Sequence, residues 1–207
     1  MKDFLIRELP ISAVIQGKEY KIASDYRDML ELEAILNSHK SDAEKGAEAL
    51  KLFFGYIPSD EETAVEYLGW FFSCGKGKRS QNDKKEQIEM GTYKPPVYSF
   101  RYDGELIYAA FLAQYGIDLQ DVSYLHWWKF IALFNGLTKE HLITEVMHCR
   151  AVDVKPDMPK DRKEYYDKMQ KAYALPLPER LERHLSDLED ALLGDGKVGC
   201  ILGGIKR

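Results

Sequence analysis

Apolar residues return every three or four positions along most of this chain, the spacing that gathers them on one face of a helix. Ser24 precedes one such run, at Tyr26, Met29, Leu30, Leu32 and Leu36. Ser41-Asp42-Ala43-Glu44 reads as a capping box, in which the serine hydroxyl takes an orphan amide and the glutamate reaches back. It opens a helix with Ala43, Ala47, Leu50 and Phe54 on one face and Gly55 as its stop. Ser59-Asp60-Glu61-Glu62 reads as a second box, opening a helix with Ala64, Tyr67, Leu68, Phe71 and Phe72 on one stripe and Gly75 beyond it. Asp103 is placed to cap a helix carrying Ile107, Ala110, Phe111 and Tyr115, ended by Gly116. Further helices are predicted from about Ser123 to Asn135, and after Thr138 with Leu142, Ile143, Val146 and Met147 inward. Another follows Pro156 and Pro159, with Tyr165, Tyr166, Met169 and Tyr173. Leu181, Leu185, Leu188 and Leu192 form a last stripe after Pro178.

One segment departs from the helical period. Val14 to Ile22 alternates around Gly17, which suits a tight turn, and reads as a β-hairpin. The predicted fold is therefore mainly α, a helical domain with a small N-terminal β-hairpin. Between Gly75 and Pro96 the chain turns polar, rich in Gly, Lys and Gln, and reads as an exposed basic loop over about 76–96. The organisation expected is one helical domain over 1–175, followed by a C-terminal leucine-stripe helix and a glycine-rich tail over 176–207.

Composition narrows the classes without naming a function. The 207 residues carry a net charge of −5 and are 45% hydrophobic and 30% charged, enough for a packed core and too apolar for wholesale disorder. No apolar run reaches the ~20 residues of a membrane helix, and Met1–Arg7 lacks the apolar stretch of a signal peptide. Three cysteines, Cys74, Cys149 and Cys200, are an odd set without metal-ligand spacing and point to a reducing cytoplasm. The charge is uneven: residues 1–75 carry 8 basic and 14 acidic side chains, whereas 76–100 carry 6 and 3. Of the 25 aromatic residues, 11 lie between Tyr98 and Phe134, which marks that segment as the densest core.

Candidate chemistry is sparse. No GxSxG and no P-loop is present; Gly75-Lys76-Gly77-Lys78-Arg79-Ser80 resembles a phosphate loop only superficially. His141, Glu145 and His148 share a face if helical and form the one candidate metal set, against the plainer reading of a solvated stripe opposite Leu142, Val146 and Met147. His126 beside two indoles suits a core histidine better than an acid–base catalyst. Lys76, Lys78, Arg79, Lys84 and Lys85 lack interleaved aromatics to stack bases, so nucleic acid is not an expected partner, and an acidic protein fits better. No cofactor is expected. The basic loop of one copy is also suited to meet the acidic N-terminal region of another.

A family resemblance adds more than these motifs. Tyr108–Leu119, then Tyr124-Leu125-His126-Trp127-Trp128-Lys129-Phe130 with Leu133-Phe134, resembles the phage "gene product fifteen" family of Gram-positive siphophages. Ordered upstream matches are Gln16-Gly17-Lys18-Glu19-Tyr20, Asp25-Tyr26-Arg27 and Trp70–Lys76. The resemblance covers about residues 10–175. It implies a largely helical, self-associating, non-enzymatic tail assembly chaperone in the host bacterial cytoplasm, which binds the tape-measure protein and helps recruit tail-tube subunits. The alternatives are an architectural tail or connector protein retained in the virion, and a metal-dependent enzyme using the His/Glu/His face. Holding a helical tape-measure chain calls for an apolar groove, and residues 98–134 are the expected source. The recognition surface is placed on Tyr115, Trp127, Trp128 and Phe134 together with the basic loop. Trp127 and Trp128 point about 100° apart on a helix, so at least one is expected at an interface; full burial of both in one subunit ends that expectation.

Overall fold

The computed structural model describes residues 4–76 and 96–176. Among them are one two-stranded sheet and seven helices, the mainly α fold that the periodicity predicts. The described residues fall into two compact units: 4–76 with 99–145, and 96–98 with 146–176. The leucine stripe, the glycine-rich tail and all of the basic loop except Lys76 lie outside the described residues.

The first unit begins with strands β1 (Ser12–Ile15) and β2 (Lys18–Lys21), paired antiparallel with Ile15 opposite Lys18. Gln16 and Gly17 both have positive φ, 49° and 77°, the mirror-image turn whose twist matches that of the flanking strands. Alternation sends Ala13, Ile15 and Tyr20 inward and leaves Val14 exposed. The hairpin is held by its neighbours, as an isolated one must be. The Tyr67 hydroxyl donates to the Ser12 carbonyl, and the Tyr20 ring meets Phe54 edge-on.

Helices α1 (Tyr26–Leu36), α2 (Asp42–Phe54) and α3 (Glu61–Phe72) follow. The Ser41 box forms with both of its bonds, and Gly55 closes α2 at φ 79°. The buried face of α2 is Ala49, Leu50, Phe53 and Phe54, rotated away from Ala43, which is exposed. The other two predicted serine caps move by one residue. Asp25, not Ser24, caps α1 through the Arg27 amide, and Asp60, not Ser59, caps α3 through the Thr63 amide. A carboxylate one position nearer the helix competes better for the orphan amides.

Helix α4 (Gly104–Tyr115) ends at Gly116 in the left-handed region, as predicted. Asp103 is its N-cap residue, as predicted, but makes no side-chain capping bond; its buried carboxylate turns back to accept the Ser99 amide at 2.8 Å. Helix α5 (Trp127–Asn135) starts later than the predicted Ser123, because the preceding residues are engaged elsewhere. The backbone at 24–26 pairs with that at 125–127: the Tyr26 amide donates to the Leu125 carbonyl, 2.9 Å, and the Trp127 amide to the Ser24 carbonyl, 2.8 Å. The Leu125 amide donates to the second Asp25 oxygen. His126, 3% exposed, then caps α5: Nδ1 accepts the Trp128 amide, so Nε2 carries the proton and donates to the Pro10 carbonyl.

Phe130 is the hub of the core, with ring centroids 4.8 Å from Tyr26, 5.1 Å from Phe111, 5.6 Å from Phe100 and 5.8 Å from Trp127. At the far end of α4 the Gln114 carboxamide donates to the Gly136 carbonyl and accepts the Thr138 amide.

Helix α6 (Leu142–Ala151) buries Ile143, Val146 and Cys149, while Leu142, expected inward, is exposed. The unit boundary falls within it, after Glu145. In the second unit, α7 (Lys160–Ala172) has no fully buried residue and is fastened by polar groups. The Gln170 carboxamide donates to the carbonyls of Cys149 and Val152. Arg150 donates to those of Tyr173 and Val97.

Burial holds the His126 imidazole below its ordinary pKa, against the opposing pull of its Pro10 bond. A folded-state pKa below the unfolded value means the unfolded chain takes up the proton first as pH falls, so folding free energy is lost below the unfolded value of ~6.5. Urea midpoints are therefore expected to fall between pH 7.5 and pH 5. The fall should flatten in His126→Asn, whose side chain retains a capping oxygen but does not titrate.

Candidate functional site

The residues singled out for recognition prove to be mostly interior. Trp127 and Trp128 are 2% and 4% exposed, and Phe134 is 5% exposed. Both indoles are used at the C-terminus of α3, where the last carbonyls lack helical partners. Trp127 Nε1 donates to the Phe72 carbonyl at 2.9 Å and Trp128 Nε1 to the Phe71 carbonyl at 2.8 Å. The rings follow suit: Trp127 stacks on Phe72, while Trp128 meets Phe71 and Trp70. The expectation that one of the two faces a partner is thus corrected. Side chains 100° apart are both buried because the end of α3 offers two successive acceptors. Tyr115 is half-buried and its hydroxyl donates to the Leu133 carbonyl. Lys76 is exposed; Lys78, Arg79, Lys84 and Lys85 lie outside the described residues.

The His/Glu/His set does not assemble. Among the described residues no group of three His, Cys, Asp or Glu side chains is arranged to hold a metal ion. His141 precedes α6 and its Nε2 meets Gln114 Oε1 at 2.8 Å, whereas the His148 ring lies edge-on to Tyr166. Burial pushes the Cys74 thiol up to about 11, which leaves it protonated and a poor nucleophile near neutrality.

The structure opens a different feature, a cleft of about 390 Å³ in the first unit. Its floor is apolar: Tyr26 and Leu30 of α1, Phe100, Ile107 of α4, Leu119, and Phe130 of α5. Arg27, Gly104, Tyr108 and Gln120 complete its lining. The Tyr26 hydroxyl donates to the Leu119 carbonyl at 2.6 Å, so the floor residue also anchors the 119–122 loop. Arg27 serves the same loop, donating to the Leu119 and Val122 carbonyls, pairing with Asp25 and lying over the Tyr26 ring. Tyr108 donates to Asp118 at 2.9 Å, and that bond, with burial and the charges of Asp118 and Asp121, raises its pKa. Asp118 is held low chiefly by the Gln120 amide.

Chemically the cleft offers apolar contact with a few oriented polar groups, which is the character of a binding surface. Phe100, Ile107, Tyr108, Leu119 and Phe130 come from the 98–134 segment expected to supply a groove. Tyr115, Trp127, Trp128 and Phe134 do not line it. The missed contributors are Tyr26, Arg27 and Leu30; their i, i+4 spacing was visible, but nothing local separates a cleft wall from core.

As core residues, the tryptophans should report on stability. Trp128→Ala is expected to lower the unfolding free energy by about 3–5 kcal/mol, read by urea denaturation. A loss under about 1 kcal/mol, the range of surface changes, contradicts the assignment.

A family model described as Bacteriophage Gp15 protein matches residues 5–175. No curated protein and no solved structure matches. Among the described residues, no helix is long and apolar enough to cross a membrane.

Proposed function

The chain belongs to the Bacteriophage Gp15 protein family, and from that membership we propose a non-enzymatic role in tail assembly, as a chaperone that holds the tape-measure protein. The observation that carries this reading is the open cleft floored by Tyr26, Leu30, Phe100, Ile107, Leu119 and Phe130. A tape-measure protein is a long helical chain whose apolar stripes meet water until the tail tube encloses it. A concave apolar floor set in a helical body suits such a stripe, the helix-in-groove mode of recognition. Phe130 and Tyr26 are held by stacking and by the hydroxyl bond to Leu119, so the floor is preorganised and little side-chain entropy is lost on binding. Recruitment of tail-tube subunits and self-association then use other surfaces, in the host cytoplasm.

Co-expression with the tape-measure protein encoded by the same phage is expected to keep that protein soluble and to yield a complex on purification. Persistent insolubility with no complex overturns the reading. Gly104→Trp places a large ring at the cleft's edge, where an added Cβ meets no atom within 4 Å; it should cut capture by about tenfold or more, the effect of losing one good contact. Mass spectrometry of purified virions should find the chain missing; its presence there favours the architectural alternative.

A further inference from the structure

We propose that α7 is a detachable strap, which unfastens from the last turns of α6 as one piece while the first unit stays folded. The inference is independent of the chaperone reading and concerns the second unit alone. It starts from burial. No residue from 150 to 176 is buried, so docking α7 removes little apolar surface from water. What fastens it is polar. The Gln170 carboxamide donates to the Cys149 carbonyl at 2.9 Å and to the Val152 carbonyl at 2.8 Å, and the Arg150 guanidinium donates to the Tyr173 carbonyl at 2.8 Å. Bonds of this kind replace bonds to water, so each adds only a small net gain. The ring contacts, His148 with Tyr166 and Tyr166 with Tyr165, are edge-on and between partly exposed side chains.

The helix brings little stability of its own. Its 13 residues lie in the range where an isolated helix is marginal in water. Pro159 stands at its N-cap and makes no side-chain bond there, so the first amides lack the usual capping acceptor. Lys160 and Glu164, 3.8 Å apart and well exposed, form an ion pair of the kind that contributes little. An undocked α7 therefore also unwinds, and docking and helix formation become one event. Few buried contacts and solvent-facing bonds are the marks of a segment that opens ahead of the global transition. Beneath it lies Cys149, 1% exposed, its Sγ 4.0 Å from the Tyr165 hydroxyl. Opening uncovers that thiol. A partner that binds the open form then needs only a small differential affinity to hold the strap off.

The test uses the full chain and two readouts, one in each unit. All three tryptophans, Trp70, Trp127 and Trp128, belong to the first unit, so their fluorescence follows its unfolding. Labelling of Cys149 by N-ethylmaleimide, separated from that of Cys74 and Cys200 by peptide mapping, follows the strap. Below the urea midpoint of the tryptophan signal, Cys149 is expected to label about tenfold or more faster than global unfolding allows. Its rate should also depend less steeply on urea, because little surface opens. Gln170→Ala should raise that rate about tenfold, the effect of losing two such bonds, and leave the tryptophan midpoint in place. Lys168→Pro, at an exposed position inside α7, should act in the same direction by breaking the helix. Cys149 labelling that only keeps pace with tryptophan-detected unfolding overturns the inference. So does a rate that neither substitution raises, or a tryptophan midpoint that falls in step with the labelling in both.

Discussion

Two short stretches a hundred residues apart hold one another, and most of the first unit follows from that contact. The amides of Tyr26 and Trp127 each begin a helix and have no helical acceptor of their own. Each is satisfied by a carbonyl of the opposite stretch, Leu125 for one and Ser24 for the other. Asp25 and His126, the residues between, cap the two helices with their side chains. The starting points of α1 and α5 are thus fixed together. With them are fixed Tyr26 against Phe130 and both indoles against the end of α3. The cleft is a by-product of this arrangement, since Tyr26 and Phe130 form its floor and the loop held by Tyr26 and Arg27 forms one side.

The features legible in the sequence are those whose causes are local. The Gln16-Gly17 turn, the Ser41–Glu44 box and the left-handed glycines at 55 and 116 need only neighbouring residues, and all stand where the pattern puts them. The larger errors occur where a distant partner intervenes. Ser24 looks like a cap, but its hydroxyl meets that of Tyr124 while Asp25 takes the helix. Ser123 looks like a helix start, but Leu125 and His126 are drawn into the bridge and the helix begins at Trp127. The tryptophans were misplaced because helical angles describe one helix, and the acceptors belong to another. The cleft had no local signature at all, being assembled from α1, the turn at Phe100, α4, the loop at 119–120 and α5.

The strings that carry the family resemblance lie at this same contact. Asp25-Tyr26-Arg27 and Leu125–Phe130 are the two sides of the bridge and its aromatic filling. These residues specify a fold before they specify a partner, and reading the tryptophans as recognition anchors mistook the first role for the second.

The separation of the two bridged stretches also sets an order of events during synthesis. The hairpin and helices α1 to α3 contact near neighbours in the chain and can associate as soon as they leave the ribosome. The bridge cannot close until residues 125–127 have emerged, so until then Tyr26 lacks its acceptor and the carbonyls ending α3 lack their indoles. During that interval the nascent N-terminal half exposes the apolar faces that Phe130 and the two tryptophans later cover.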